Sequence, residues 1–436
     1  MKPFLRACAE LPCAALALLL YPLFALAGRI STGRRRTSRA LPRLLWGATP
    51  ILTIATGSEA MRRRGYESLD LVFRPYSIYS QFTVSLERWA RFLPVRVALP
   101  FLAFLWALPR FDVFFGFYDG GLLTGTILAP LEWKLLRWAG KLSILSAYGS
   151  DVRTEKATRA LGEFCCCTDC DKRVLYCACR DEIGLPRVAR ARRDAAAWLS
   201  MGDMIEYTPD SRNDLFYWPI EVAALPAAEA AAHDGPVRVV HAANHRMFKG
   251  TRFLEQAIAE LRAEGLAIEL DIVERVTNDE VRRRTARADI VAEQFLIGWF
   301  GYFAVEAMAL GKPVISFVRK PEYLPSGVDC PVVSADPRTL KETLRALALD
   351  PCRRQALGEA GRRFAERIFS LEAFGARMDE FVRSLWFPHP IRAAATPPAR
   401  APLTSAALAP GTFAVAAPPG AQDPAGTPAA AGSAAR

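Results

Sequence analysis

Residues 236–318 alternate short apolar runs with amphipathic stretches, and this alternation constrains the fold more than any other feature of the chain. Residues 236–242 read as a buried strand introduced by Asp234-Gly235, and a polar loop follows at 244–251. Phe253, Leu254, Ala257, Ile258 and Leu261 then mark one helical face that stops near Gly265. Residues 266–273 alternate as a strand, 278–287 are helical and 289–292 form another short strand. A helix over 303–310 closes with Gly311 at its C′ position, and 313–318 form the next strand. Strands separated by helices need crossover connections, so the sheet is parallel and covered on both faces. Residues 351–369 and 371–386 read as closing amphipathic helices. The earlier half repeats the rhythm less regularly. It has a helix over 50–64 ended by Gly65-Tyr66, and strands over 69–73, 112–117 and 142–147. An apolar stretch over 95–108 carries Arg96 as its only charge. It is too short to span a bilayer, and reads as a buried helix or a surface resting on lipid. An Ala-rich crossing near 222–235 separates an α/β segment at 44–222 from a second at 236–387.

At 436 residues the chain is long enough for two or three domains. Its formal charge of +11 is unevenly placed. Residues 1–43 hold eight Lys and Arg against one Glu, whereas residues 44–387 hold 45 basic and 43 acidic side chains. A nearly neutral body excludes nucleic-acid binding driven by bulk charge. The basic excess flanks residues 11–27, which are uncharged and mostly apolar, and continues through Arg29, Arg34, Arg35, Arg36, Arg39 and Arg43. Three arrangements fit residues 1–43: a spanning anchor with its Arg flank in the cytoplasm, a helix lying in the headgroup plane, or a signal peptide ending at Ala25-Leu26-Ala27. The Arg flank favours the anchor and a cytoplasmic body. Residues 388–436 are dominated by Ala and Pro, with Phe413 their only aromatic, and read as a disordered tail.

The chemistry concentrates in Gly298-Trp299-Phe300-Gly301-Tyr302-Phe303-Ala304-Val305-Glu306. Glycines let a backbone approach a ligand closely at the start of a helix. The unpaired N–H groups and partial positive charge of a helix N-terminus suit a diphosphate. Glu306, about one turn in, is placed to accept hydrogen bonds from sugar hydroxyls. The plainer alternative is a packed helix with a glycine-rich entry.

This segment resembles the glycosyltransferases of the GT-B fold known as glycosyl transferases group 1, or family 4. Their E-x7-E element ends in EAMA-x-G-x-PV, and Glu306-Ala307-Met308-Ala309-Leu310-Gly311-Lys312-Pro313-Val314 matches every fixed position. The element's first Glu falls on Gly298. Lys249-Gly250 resembles the end of the family's basic loop for the donor pyrophosphate, with Arg246 at a shorter spacing than usual. A Lys and an Arg in a strand-to-helix loop are well placed to neutralise phosphate. Tyr148-Gly149-Ser150-Asp151 is similar to a His-Gly-x-Asp turn in the first domain, with Tyr148 in place of the His; no His precedes His233.

The resemblance implies an α/β GT-B chain with two Rossmann-like domains facing each other, to which the N-terminal membrane segment and the disordered tail read above are added. The first domain, 44–222, would take the acceptor, and the second, 236–387, a nucleoside-diphosphate sugar. The implied activity is hexosyl transfer to a glycan, lipid-linked or protein acceptor. It would need no catalytic metal; the N-terminal charge and apolar run add the expectation of a membrane-associated body in the cytoplasm, and the neutral body that of no nucleic-acid partner. Arg246 and Lys249 would stabilise the departing diphosphate, and Gly298, Gly301, Tyr302, Phe303 and Glu306 would bind the donor. Asp151 would contact acceptor or donor sugar; its plainer role is a cap for a helix over 152–161. Gly298 and the missing histidine also fit a catalytically inactive scaffold that binds a nucleotide sugar.

Six of the ten cysteines lie within fifteen residues. Cys167, Cys170, Cys177 and Cys179 have a spacing that would supply four thiolates to a structural zinc. Reduced thiols in a loop and a disulfide pair are the competing readings. The insert at 165–179 lies outside the family pattern, and so reads as a folding staple or an acceptor-side element.

Overall fold

A computed structural model describes residues 3–76, 81–170, 179–227, 235–323 and 329–387. The expected tail at 388–436 and Cys177 lie outside these residues. The first half runs α1 (Pro3–Thr37), β1 (Leu44–Ala48), α2 (Leu52–Arg63), β2 (Ser68–Val72), β3 (Val84–Ser85), α3 (Glu87–Ala90) and α4 (Leu93–Ala107). It continues through β4 (Val113–Phe117), α5 (Glu132–Trp138), β5 (Leu142–Ser146), α6 (Glu155–Ala160), α7 (Asp181–Asp194) and β6 (Ala197–Leu199). The second half runs β7 (Val237–Ala242), α8 (Arg246–Lys249), α9 (Thr251–Ala263), β8 (Ile268–Val273), α10 (Asn278–Arg287), β9 (Ile290–Ala292) and α11 (Tyr302–Ala309). It closes with β10 (Val314–Ser316), β11 (Val333–Ser334), α12 (Leu340–Leu349), α13 (Pro351–Ile368) and α14 (Leu371–Trp386).

The strands form two parallel sheets, ordered β3-β2-β1-β4-β5-β6 and β11-β10-β9-β7-β8. All five residues of β1 and of β4 are buried. This double-faced burial is why parallel strands read as continuous apolar runs. β1 was not among the expected strands, yet it lies at the centre of its sheet, between β2 and β4. Five apolar residues directly after an Arg-rich stretch carry no period by which a strand can be told from a helix. Tertiary packing identifies it: the Trp46 ring stacks on Phe115 of β4 at 3.7 Å.

Packing crosses between the two halves of the chain. α14 follows the second sheet in sequence but packs on α2 of the first half, where the Tyr66 hydroxyl donates to Asp379 at 2.6 Å. Phe374 of α14 lies fully buried between Trp46 and Phe216. The Trp386 indole donates to Ala40 O at 2.9 Å, and Ile220 N to Phe369 O at 2.8 Å. The halves also meet where the Gly202 backbone, at φ +60°, lies against the Trp299 indole; a Cβ there would fall 2.3 Å from the ring. A side chain at residue 202 would have to displace that ring.

Asp112 ties the start of the first sheet together. Its buried carboxylate accepts from the Arg43 Nε at 2.9 Å, the Arg43 backbone N–H at 3.0 Å and the Thr32 hydroxyl at 2.7 Å. Burial opposes its charge, but the Arg43 hydrogen bonds, Thr32 and the Arg43 charge together hold its carboxyl below the usual carboxylate value.

Truncating Phe374 removes a ring shared by α14 and the first sheet. Phe374→Ala is expected to cost about 3–5 kcal/mol of unfolding free energy in urea. Loss of tryptophan and far-ultraviolet signals in one transition is the expected outcome; two separate transitions would show that α14 does not couple the halves.

Candidate functional site

In doubly wound parallel sheets, ligands bind outside the carboxyl ends of the strands, where the strand order reverses. Those points lie between β1 and β4 in the first sheet and between β7 and β9 in the second. A cavity of about 450 Å³ opens beyond the strand ends. Tyr148 and Arg153 line it from the first half, and Asn244, Arg246, Phe248 and Glu274 from the second.

On the second half, Glu293 directly follows β9 and is 1 % exposed. One oxygen meets the Lys249 ammonium at 2.9 Å, and the other accepts the Gly301 backbone N–H at 3.0 Å. Ser316 adds a longer contact at 3.3 Å. The strand end thus joins Lys249 at the end of α8 to Gly301, the residue just before α11. Phe303, in the first turn of α11, places its ring 5.7 Å from the same ammonium. Tyr302 turns toward the crossing segment, its hydroxyl donating to Pro219 O at 3.3 Å.

Three expected donor positions have partners that sequence did not reveal. Arg246 is half-exposed, with Glu274 and Glu255 both bound to its guanidinium at 2.8–3.0 Å. Glu306 is nearly buried and accepts from Asn278 Nδ2 and Arg282 Nε, both at 2.9 Å. Burial raises its carboxyl above the usual value, with Arg282 and Asn278 opposing the shift. Gly298 sits at φ +96°, and a Cβ there would fall 2.2 Å from Arg319 Nη1. The Arg319 guanidinium fills that space, donating to Ile297 O at 3.0 Å and to Phe164 O at 2.7 Å. A carboxylate side chain at residue 298 would have to displace it.

On the first half, Asp151 is not a helix cap: α6 begins at Glu155, after Thr154. Its fully buried carboxylate accepts the backbone N–H groups of Tyr148 at 3.0 Å, Gly149 at 2.9 Å and Tyr118 at 3.2 Å. It therefore shapes the turns after β4 and β5. Tyr148, which does line the cavity, donates its hydroxyl to Asp119 at 2.9 Å. Burial and the charge of Asp119 raise the Asp151 carboxyl, and burial raises that of Asp119. Glu132 supports the Asp119-Gly120-Gly121 turn from below, accepting Gly121 N at 3.0 Å and Leu123 N at 3.1 Å. Burial pushes its carboxyl up to about 7 against those hydrogen bonds.

The cysteine segment reaches the second half. Cys165, Cys166 and Cys167 are buried with Ile297, Phe248 packs against them, and Arg252 pairs with Asp169. Hydrogen bonds from Cys166 and Cys179 hold the Cys167 thiol well below its usual value. Among the described residues, no group of three His, Cys, Asp or Glu side chains is arranged to hold a metal ion. The fourth thiol of the expected set, Cys177, lies outside them.

Sequence reading missed Glu293, Arg319 and the buried Arg153–Asp203 pair at 2.9 Å. Of these only Glu293 left a signal, as a carboxylate immediately after a strand.

No family model matches the sequence, and no curated protein matches it. Solved structures do match its fold. Sucrose-phosphate synthase (tll1590) from Thermosynechococcus elongatus aligns at a TM-score of 0.54 with 14 % identity, over 79 % of this chain and 99 % of that one. Anabaena Alr3699/HepE, solved with UDP and glucose, aligns at 0.52 with 12 % identity, over 79 % and 100 %. A glycosyltransferase from Rickettsia africae ESF-5 aligns at 0.50 with 9 % identity, over 79 % and 99 %. The chain has the GT-B fold of these proteins.

Glu132 gives a pH signature for the turn it supports. Its folded value of about 7 lies above the ordinary value of 4.5, so ionising it costs stability as pH rises between the two. Glu132→Gln is expected to lose that part of the decline. Urea unfolding at pH 5 and pH 8 should show a smaller pH difference in the variant than in the parent; an equal difference rules out the assignment.

Proposed function

We propose that the protein transfers a sugar from a nucleoside-diphosphate sugar, with the diphosphate received beside Lys249 and the N-terminus of α11. The observation that carries this reading is the convergence of Lys249 Nζ, Glu293 and Gly301 N–H at the switch point of the second sheet. Transfer requires stabilisation of negative charge as the diphosphate departs, and a cation beside a helix N-terminus supplies it. Lys249 is held by Glu293, so its position is set before a ligand arrives. Arg246 lies on the cavity wall and adds a second cation, while Glu306, one turn into α11, is the carboxylate nearest in sequence for ribose hydroxyls. The GT-B neighbours include a sucrose-phosphate synthase and a glycosyltransferase, and HepE was solved with UDP-glucose, which makes a uridine donor the first to test. In this reading charge is stabilised by side chains and backbone, with no catalytic metal. The first half takes a glycan, protein or lipid-linked acceptor, with the body on the cytoplasmic side.

A second reading is favoured by Gly298 and Arg319. The guanidinium occupies the space of the family's first Glu, which fits a nucleotide-sugar-binding scaffold without turnover.

Thermal-shift measurements with UDP-, GDP- and ADP-sugars test donor binding, because a bound ligand raises apparent stability. The enzyme reading expects release of nucleoside diphosphate from the stabilising donor; stabilisation with no release favours the scaffold, and no stabilisation by any donor defeats both. Lys249→Ala should lower turnover by about a hundredfold or more. It should also cost about 3–5 kcal/mol, because Glu293 loses its partner. Lys249→Ala/Glu293→Gln should recover stability but not turnover, and recovery of both would remove Lys249 from the chemistry.

A further inference from the structure

α1 buries the wrong residues for a helix whose outer face meets water. It turns Glu10, Ala14, Ala17, Ala25, Gly28 and Thr32 toward the body, three or four apart or a multiple of that spacing. Its outer face carries Leu11, Leu16, Leu19, Leu23, Leu26 and Ile30, from 48 % exposed at Ile30 to 76 % at Leu19. A surface helix in water buries its leucines and exposes its polar residues. The fully buried positions are mostly small, Leu20, Tyr21 and Phe24 pack only partly against the body, and most leucines point outward, which suits a helix whose outer medium is hydrocarbon.

Polar contacts hold α1 to the body along most of its length. The Glu10 carboxylate accepts Ile127 N at 3.0 Å, and the Tyr21 hydroxyl donates to Leu135 O at 2.7 Å. Lys141 Nζ donates to Gly28 O at 3.1 Å and to the Thr32 hydroxyl at 2.7 Å. From residue 10 to residue 32 the helix advances about 33 Å, close to the thickness of a bilayer's hydrocarbon core. To cross a bilayer, α1 would have to break these contacts and leave buried polar partners behind. α4, packed on α1, exposes Leu102, and Leu131 and Trp138 are exposed beside the Tyr21 contact. Exposed Arg29, Arg34, Arg36 and Arg39 follow the leucines on α1 and its end, and Arg96 lies on α4.

We propose that α1 and α4 form a docking face for an anionic bilayer, with α1 lying in the boundary between headgroups and acyl chains. The leucines enter the acyl region, Trp138 sits at headgroup depth, and the arginines complement anionic lipid. This goes beyond sugar transfer and does not depend on it: the readout is lipid binding, so either conclusion can fail alone.

The full chain is to be floated with vesicles of phosphatidylcholine alone and of phosphatidylcholine with phosphatidylglycerol. Expected is binding to the anionic vesicles that weakens with added salt. Leu19→Glu/Leu23→Glu should weaken it about a hundredfold, while Leu349→Glu, at an equally exposed leucine on α12, should not. Both changed leucines are exposed, so circular dichroism should report an unchanged fold. Equal binding to both vesicles, or no loss in the double variant, overturns the proposal. So does a dimer in lipid-free buffer that the double variant dissociates while neither form floats, because a second copy would then be the occupant. In inverted membranes from expressing cells, trypsin should remove an N-terminal epitope tag together with the body. A protected tag on a digested body would mean that α1 spans.

Discussion

The carboxylate of Glu293 is the point on which the arrangement of the second half depends. It emerges at the end of β9 with almost no solvent access, so its charge needs compensation from within the protein. Lys249 and the Gly301 N–H supply it, and in doing so place the ends of α8 and α11 beside the same strand. A cation and a helix N-terminus, each attractive to an anion, therefore share one small region. The ion pair also sets a condition on binding: any anion that reaches Lys249 has to share it with a carboxylate already bound to it.

The same logic recurs across the molecule with different partners. Asp112 gathers Arg43 and Thr32 at the start of the first sheet, and Asp203 holds Arg153 at the cavity wall. Asp151 answers three backbone N–H groups and so governs the turns that present Tyr148. Each is a buried polar group with partners at close range, and each joins segments distant in sequence. Breaking such a pair from one side costs more than the pair contributes, because the remaining charge stays buried.

Association of the halves rests on apolar packing through the chain's return. α14 leaves the second half and packs on α2, while Gly202 admits the Trp299 indole between the halves. The cysteine segment adds a third connection, with Phe164 O bound by Arg319 and Asp169 by Arg252. The cavity walls are thus held by contacts on several sides, which suits a cleft that must keep groups from two sheets in register.

Strand and helix periods in residues 236–318 were readable because each element there is bounded by turn residues and has a consistent apolar face. The Glu306–Val314 segment was readable because a helix and its exit turn are local. β1 was not, since five apolar residues have no period, and its place at the sheet centre comes from Trp46 stacking on Phe115. The roles of Glu293 and Arg319 were not either, because their partners lie 44 and 155 residues away. Alternation and local charge are properties of neighbouring residues, and they were enough for two parallel α/β halves and an apolar, Arg-flanked N-terminus. Which charges pair, how Arg319 comes to fill the space beside Gly298, and why most leucines of α1 face outward emerged from long-range packing. Those outcomes depend on distances between segments that meet only after the sheets have formed.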